Sequence, residues 1–162
     1  MSENKERKPE LPAIGFVEGI GDEDRQALAD CGEFLLIKPD EVLIKQGDAQ
    51  DSLHLVVSGL LHVYILAEDN RRILLKRLHS GESIGEVNIF DPDVASATVA
   101  GVEYAQVWRV DLKSLEDYLQ ERPVSGAHVL IGIAKQLSQR LREANEKISL
   151  AQQALPKYLG VG

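Results

Sequence analysis

The chain has 162 residues, enough for one domain with a sizeable hydrophobic core but too few for two domains of ordinary size. Its 26 acidic residues outnumber the 18 lysines and arginines, and the net charge of −8 disfavours a nucleic-acid-binding face. No apolar run approaches the roughly 20 residues of a membrane span, and the charged first residues are unlike a signal peptide. We therefore expect a cytoplasmic protein without a membrane segment. The single cysteine, Cys31, excludes an internal disulfide.

The first 21 residues are typical of a leader. Residues 1–10 carry six charged side chains and almost nothing apolar, and residues 11–21 are rich in proline and glycine. Segments of this composition do not bury enough apolar surface to fold. We expect residues 1–21 to be disordered or irregular, with Asp22 as the N-cap of a short helix that ends before Gly32.

From Glu33 onward, short apolar runs are separated by turn residues. This spacing is typical of strands in an antiparallel sandwich or barrel. Ser58-Gly59, between two β-branched runs, predicts a two-residue hairpin. A last strand contains Trp108, for which the core is the usual place. The predicted strands cover residues 34–37, 42–44, 53–57, 60–67, 73–78, 95–100 and 104–110.

Residues 81–100 form the most distinctive stretch, which we call the cassette. Gly85 lacks a Cβ and permits a close backbone approach, and the carboxylate Glu86 follows it at once. A brief turn of helix over residues 87–90 presents unpartnered amides that suit an anion. Residues 95–100 then alternate small and β-branched side chains, as a strand does.

The cassette resembles the phosphate-binding segment of the cyclic-nucleotide-binding domain, the β-roll shared by the bacterial catabolite activator, kinase regulatory subunits and nucleotide-gated channels. The resemblance implies a mostly β fold with flanking helices, an antiparallel double-stranded β-helix of the jelly-roll type over residues 22–122. It implies that the Gly85 amide contacts the ligand and that Glu86 accepts the ribose 2′-hydroxyl. Ser96 and Ala97 would face the cyclic phosphate, and Val87 would line the pocket.

The family's phosphate-binding arginine is replaced by Ala95. Hydrogen bonds to charged groups are worth about 1.5 to 3 kcal/mol each, and about 1.4 kcal/mol is tenfold in affinity. Losing the bidentate pair therefore predicts binding weaker by two or more powers of ten, and Asp91 and Asp93 add negative charge beside the ligand. By the family's register Lys76 would lie near the purine side of the pocket. It is either a substitute cation or a solvated strand residue, and we favour the second.

Asp111 predicts the N-cap of a helix, and Pro123 the start of a final helix that extends to residue 155. Apolar residues in this helix step alternately by four and three, which favours a left-handed coiled coil and a parallel homodimer. A lone amphipathic helix packed on its own β-roll is the alternative. Asn145 lies beside the seam. By the resemblance it lies where the activators carry hydroxyls that reach the purine, and the alternative is a polar neighbour of the dimer contact. The predicted seam consists of Leu130, Ala134, Leu137, Leu141, Ala144 and Ile148, continued by Ala151 and Leu155.

Pro156 is expected to end the helix and leave a tail over residues 156–162, too short for a DNA-reading module. No nucleophile elbow, phosphate loop or metal-ligand spacing is present, and the four histidines are scattered, so neither an enzyme nor a metal site is expected. The leading hypothesis is a stand-alone, dimeric regulatory sensor of cAMP or cGMP that signals to an unidentified protein through its C-terminal helix. The alternative is an interaction module that has lost or changed its ligand.

Overall fold

The computed structural model describes residues 9–158, with the side chains of residues 9–155. These residues form two four-stranded antiparallel sheets with helices before and after them, which confirms the predicted fold class. The strands are β1 (Glu33–Ile37), β2 (Val42–Ile44), β3 (Ser52–Ser58), β4 (Leu61–Leu66), β5 (Arg72–Leu78), β6 (Ser83–Ile84), β7 (Thr98–Gly101) and β8 (Ala105–Asp111). The helices are α1 (Asp22–Asp30), α2 (Glu86–Phe90), α3 (Leu112–Glu121) and α4 (Pro123–Tyr158).

The strand order is β1-β8-β3-β6 in one sheet and β2-β7-β4-β5 in the other. Because β3 and β4 lie in different sheets, the hairpin predicted at Ser58-Gly59 is wrong. The turn instead carries the chain from one sheet to the other. Gly59 is needed there because its φ is +87° and because a Cβ would collide with the backbone of Tyr104 and Ala105.

Other element boundaries differ slightly from the predictions. The N-cap of α1 is Gly21, and Asp22 is instead the first of three acidic residues in the first turn, where they favour the positive end of the helix dipole. Asp111 does cap α3, since its carboxylate accepts the Ser114 amide at 2.8 Å. The backbone of α4 begins at Pro123 as predicted but stays helical to Tyr158, so the predicted end at Pro156 is wrong.

Two clusters of buried side chains organise the fold. Strand β8 shows the division, because Val107 points into the interior of the roll and Trp108 points to the helices. Trp108 is fully buried, as predicted, and its indole N–H donates to the Ala29 carbonyl at 3.3 Å. The helix-side cluster includes Leu28, Tyr118 and Ile133, and the interior cluster includes Val56, Leu61 and Val99.

The segment before α1, which we expected to be disordered or irregular, packs against the core over residues 11–20. Its four buried apolar side chains are Leu11, Phe16, Val17 and Ile20. A 3-10 turn at Gly15–Val17 lies between α4 and the cassette. A Cβ on Gly15 would collide with the Gly81 carbonyl, and one on Gly132 of α4 would collide with Phe16. Residues 1–8 lie outside the described part of the chain.

His54 on β3 is a buried polar residue that the sequence did not single out. It is 3% exposed, and its Nδ1 has no hydrogen-bond partner. Burial, helped by the positive charge of Arg109, lowers the pKa of His54 from 6.5 to about 4. The imidazole is therefore neutral in the folded protein at pH 7.

We predict that His54 makes the fold sensitive to mild acid. Because the unfolded chain binds a proton on this residue near pH 6.5 and the folded chain only near pH 4, the free energy of unfolding falls as the pH drops through that window. The expected loss between pH 7 and pH 5 is about 2 kcal/mol. Urea denaturation at pH 7, 6 and 5 measures it.

His54→Gln should remove this part of the pH dependence. The exposed His128→Gln is the control for the loss of one histidine. Equal pH slopes in the wild type and His54→Gln would contradict the assignment.

Candidate functional site

The cassette contains β6, helix α2, the loop that follows α2 and the first residues of β7. Gly85 sits between β6 and α2 with φ +87°, and a Cβ there would collide with the Ser52 carbonyl of β3. The glycine is thus required by its left-handed backbone and by close packing against β3. The glycine was predicted for its close approach to a ligand, and its contact with β3 is a second reason within the fold itself.

A cavity of about 310 Å³ opens between the cassette and the interior face of the β2-β7-β4-β5 sheet. Four of the predicted ligand-binding residues line it, namely Gly85, Val87, Ser96 and Ala97. Most of the remaining wall is aliphatic. The other lining residues are Ile44, Gln50, Val63, Ile84, Asn88, Asp91, Asp93, Val94, Ala95 and Val99.

Glu86 does not line this cavity. Its side chain is almost fully buried and forms an ion pair with the guanidinium of Arg140, which reaches across from α4. The same guanidinium also donates to the Ser83 carbonyl. Burial lowers the pKa of Arg140, an effect that the negative charges of Glu82 and Glu143 oppose. The carboxylate expected to hold a ribose hydroxyl is thus bound to the C-terminal helix.

One helical turn earlier, Gln136 makes a second contact between α4 and the cassette. Its Oε1 accepts from the Ser83 hydroxyl at 2.5 Å, and its Nε2 donates to the Gly81 carbonyl at 3.0 Å. The Ser83 hydroxyl also lies 3.4 Å from a Glu86 oxygen. We call the contacts of Gln136 and Arg140 with Gly81, Ser83 and Glu86 the helix contact.

The remaining predicted site residues lie elsewhere. Lys76 is half-buried and pairs with Glu82 at 2.7 Å, in the wall of a separate polar cavity of about 350 Å³ that also contains Arg140. Asn145 is exposed on α4, beyond the part of the helix that packs on the roll. Neither residue lines the cassette cavity in this arrangement. Their roles as ligand contacts stay predictions.

The predicted dimer seam divides along α4. Leu137 packs against the helix-side core cluster, whereas Leu130, Leu141 and Ile148 are exposed, as are Ala134 and Ala144. Every residue from Leu141 to Gln153 is exposed. The first part of α4 therefore belongs to the fold, and the second part presents its apolar residues to the outside.

Gln136 and Arg140 were not among the residues predicted from the sequence. The signal was available, because these two polar residues lie four apart and continue the face that Val129 and Ile133 bury against the roll. A polar pair on an otherwise inward-facing stripe indicates buried polar partners.

Among residues 9–158, no cluster of three or more potential metal ligands is found. None of the described helices has the length and apolar character needed to cross a membrane.

Comparison with known proteins agrees with this geometry. The family model described as the cyclic nucleotide-binding domain matches residues 35–122, which is more than half of the chain. This chain belongs to the cyclic nucleotide-binding domain family. The match extends from β1 to the end of α3 and contains the whole cassette.

Individual relatives are distant. The cAMP-activated global transcriptional regulator CRP of Salmonella typhimurium is 28% identical over 107 residues, which cover 65% of this chain and 49% of the regulator. Lysophospholipase nte1 of Neosartorya fischeri is 24% identical over 115 residues, 71% of this chain and 7% of that protein. The chain thus corresponds to about half of the first relative and a small part of the second.

A solved cyclic nucleotide-binding domain from Methylobacillus flagellatus has the same fold. It superposes with a TM-score of 0.75 at 23% identity, covering 82% of this chain and 74% of that one. At this level of identity the likeness concerns the fold alone.

We predict that Gly85→Ala destabilises the family fold more than Gly47→Ala. Both glycines have φ close to +90°, but nothing lies within 4 Å of a Cβ at Gly47, whereas a Cβ at Gly85 meets the Ser52 carbonyl. Backbone strain alone costs about 1 to 2 kcal/mol, and the collision should add about 1 to 3 kcal/mol. Urea denaturation of the two variants measures the difference. Equal losses would contradict the close packing described here.

Proposed function

We propose that this chain acts as a regulatory sensor domain in which a small ligand in the cassette cavity changes the position of α4. The observation that carries the proposal is the helix contact. Gln136 and Arg140 join α4 directly to Gly81, Ser83 and Glu86, in the segment that also forms a wall of the cavity. A ligand shifts α4 only to the extent that it binds one arrangement of the cassette better than the other.

Membership of the family makes a cyclic nucleotide such as cAMP or cGMP the first ligand to test. Gly85, Val87, Ser96 and Ala97 line the cavity in support of this ligand. Ala95 counts against it, because no arginine occupies that position. A cytoplasmic location and the absence of catalysis stay predictions from the sequence.

The second candidate function is an interaction module that keeps the fold and no longer binds a ligand. The specific observation in its favour is the replacement of the phosphate-binding arginine by a buried alanine. The two functions differ in one measurable respect, since only the sensor should couple the cavity to α4.

We predict that Arg140→Gln loosens α4. The substitution leaves the Glu86 carboxylate buried without its cation, which should cost about 3 kcal/mol of stability. Hydrogen–deuterium exchange of the α4 amides near residues 136–144 should speed up, relative to amides in β8. Arg142→Gln is the matched control, because Arg142 is exposed on the same helix.

The function itself is tested by the same exchange measurement with ligands added. Titration with cAMP, cGMP and a panel of other small molecules should identify one that changes α4 exchange in the wild type. The change should be reduced in Arg140→Gln. A ligand that occupies the cavity and leaves α4 exchange unaltered would overturn the sensor proposal.

We further propose a parallel homodimer through the exposed part of α4. The apolar residues Leu141, Ile148 and Leu155 recur every seven positions and are exposed in the single chain. Burial of this stripe against a second copy would remove it from water. The protein that receives the signal is not indicated by these residues.

We predict that Leu141→Glu separates the dimer. Light scattering should give twice 17.9 kDa for the wild type and about the single-chain mass for the variant. Gln153→Glu introduces the same charge on the side of α4 opposite the predicted seam and should stay dimeric. A wild-type protein that is monomeric at tens of micromolar would refute the dimer.

A further inference from the structure

Most of the wall of the cassette cavity is apolar. Six aliphatic side chains contribute to its wall, and they come from β2, β4 and β7 as well as from the cassette. An enclosed apolar cavity of about 150 Å³ accepts benzene, so the cassette cavity, at about 310 Å³ and open to solvent beside the exposed Val87 and Val94, has room for a small apolar molecule. The aliphatic residues are Ile44, Val63, Ile84, Val87, Val94 and Val99.

The charged groups of the cavity are all negative. Among its lining residues, the ionisable side chains are Asp91 and Asp93, both exposed at the edge. At the position of the family's arginine, Ala95 presents only a methyl group and is 6% exposed. An anion placed in this cavity meets two carboxylates and no guanidinium or ammonium from the wall.

The two cations that form ion pairs with residues of the cassette do not line the cavity. Arg140 is held by Glu86 and the Ser83 carbonyl, and Lys76 is held by Glu82 at 2.7 Å. Both line the separate polar cavity beside α4. To neutralise an anion in the cassette cavity, either cation would first have to leave a carboxylate that is partly or fully buried.

Uncharged polar groups are nevertheless present in the wall. Gln50, Asn88 and Ser96 supply amide and hydroxyl groups. Asn88 also fixes the loop, because its Nδ2 donates to the Asp93 carbonyl at 3.1 Å. A cavity with mostly apolar walls and a few neutral polar groups is the usual form of a small-molecule site.

We propose that the cassette cavity binds an apolar small molecule that carries no negative charge. The inference rests on the proposed sensor function, since it names the class of ligand for the same cavity. It ranks neutral and cationic apolar molecules ahead of phosphates and carboxylates, so the cyclic nucleotides that family membership puts first in the test are expected to bind weakly. The loss of the arginine then corresponds to a change of ligand class, in which the aliphatic wall supplies the affinity and the aspartates disfavour anions.

The experiment uses three probes that share a cyclohexyl ring and differ in charge. Cyclohexylmethanol is neutral, cyclohexylmethylamine is cationic and cyclohexanecarboxylate is anionic at pH 7. Binding to the full chain is followed by the NMR shifts of the backbone amides of Val87, Asn88, Ser96 and Ala97. We expect the alcohol and the amine to bind with dissociation constants in the millimolar range and at least about tenfold more tightly than the carboxylate.

Two substitutions at one position separate charge from volume. Ala95→Arg adds a cation to the wall and should raise the affinity for the carboxylate, and for cAMP, by about tenfold or more relative to the alcohol. Ala95→Met adds a side chain of similar length without the charge and should weaken all three probes alike. Because Ala95 is buried, the folding of each variant is checked first by its NMR spectrum.

A second pair of substitutions leaves the core untouched. Asp91→Asn with Asp93→Asn removes the charge at the edge and should raise carboxylate affinity severalfold while alcohol affinity stays within about twofold.

Carboxylate or cAMP binding to the wild type as tightly as the alcohol would overturn the inference, as would no binding of any probe. If the alcohol binds but the hydrogen–deuterium exchange of the α4 amides does not change, the proposed class of ligand is supported and the proposed sensor function is refuted.

Discussion

The ion pair between Glu86 and Arg140 is the constraint on which the rest of the arrangement depends. A carboxylate this deeply buried is strongly destabilising without a partner. Its partner comes from a helix that follows the roll in the chain, so the cassette and α4 must be assembled together. Paired in this way, Glu86 does not line the cassette cavity, whose wall is mostly aliphatic. The ion pair thus holds the helix on the cassette and keeps this carboxylate out of the cavity.

Much of the fold was readable because strand and turn signals are local. The apolar segments that form β2 and β5 could be predicted from their own residues alone. Asp111 could be predicted as the cap of α3 because its carboxylate accepts the amide of Ser114, only three residues later. Strand β6 was missed because its two residues are too few to show alternation. The error at Ser58-Gly59 has another cause, since the same local turn can join strands of one sheet or of two.

The site was predictable in part. Gly85, Val87, Ser96 and Ala97 follow one another closely enough in sequence to be recognised as a unit, and they line one cavity. Gln136 and Arg140 are more than 50 residues away from their partners Ser83 and Glu86. No local pattern pairs residues across such a distance, so the contact emerges only from the folded chain. His54 is a similar case, because its burial depends on β6 and β8 on either side of it.

The 3-10 turn at Gly15–Val17 has a mechanical consequence for α4. Gly15 of the turn contacts Gly81 of the cassette, and Phe16 of the turn contacts Gly132 of α4. At both points the two backbones are so close that a Cβ on the glycine would collide with a carbonyl oxygen. A rigid tilt of the first half of α4 therefore has to carry the turn with it or open a gap at Phe16, which is buried in the core. The N-terminal turn thus restrains the first half of the helix through close backbone contacts, whereas the residues from Leu141 to Gln153 are exposed.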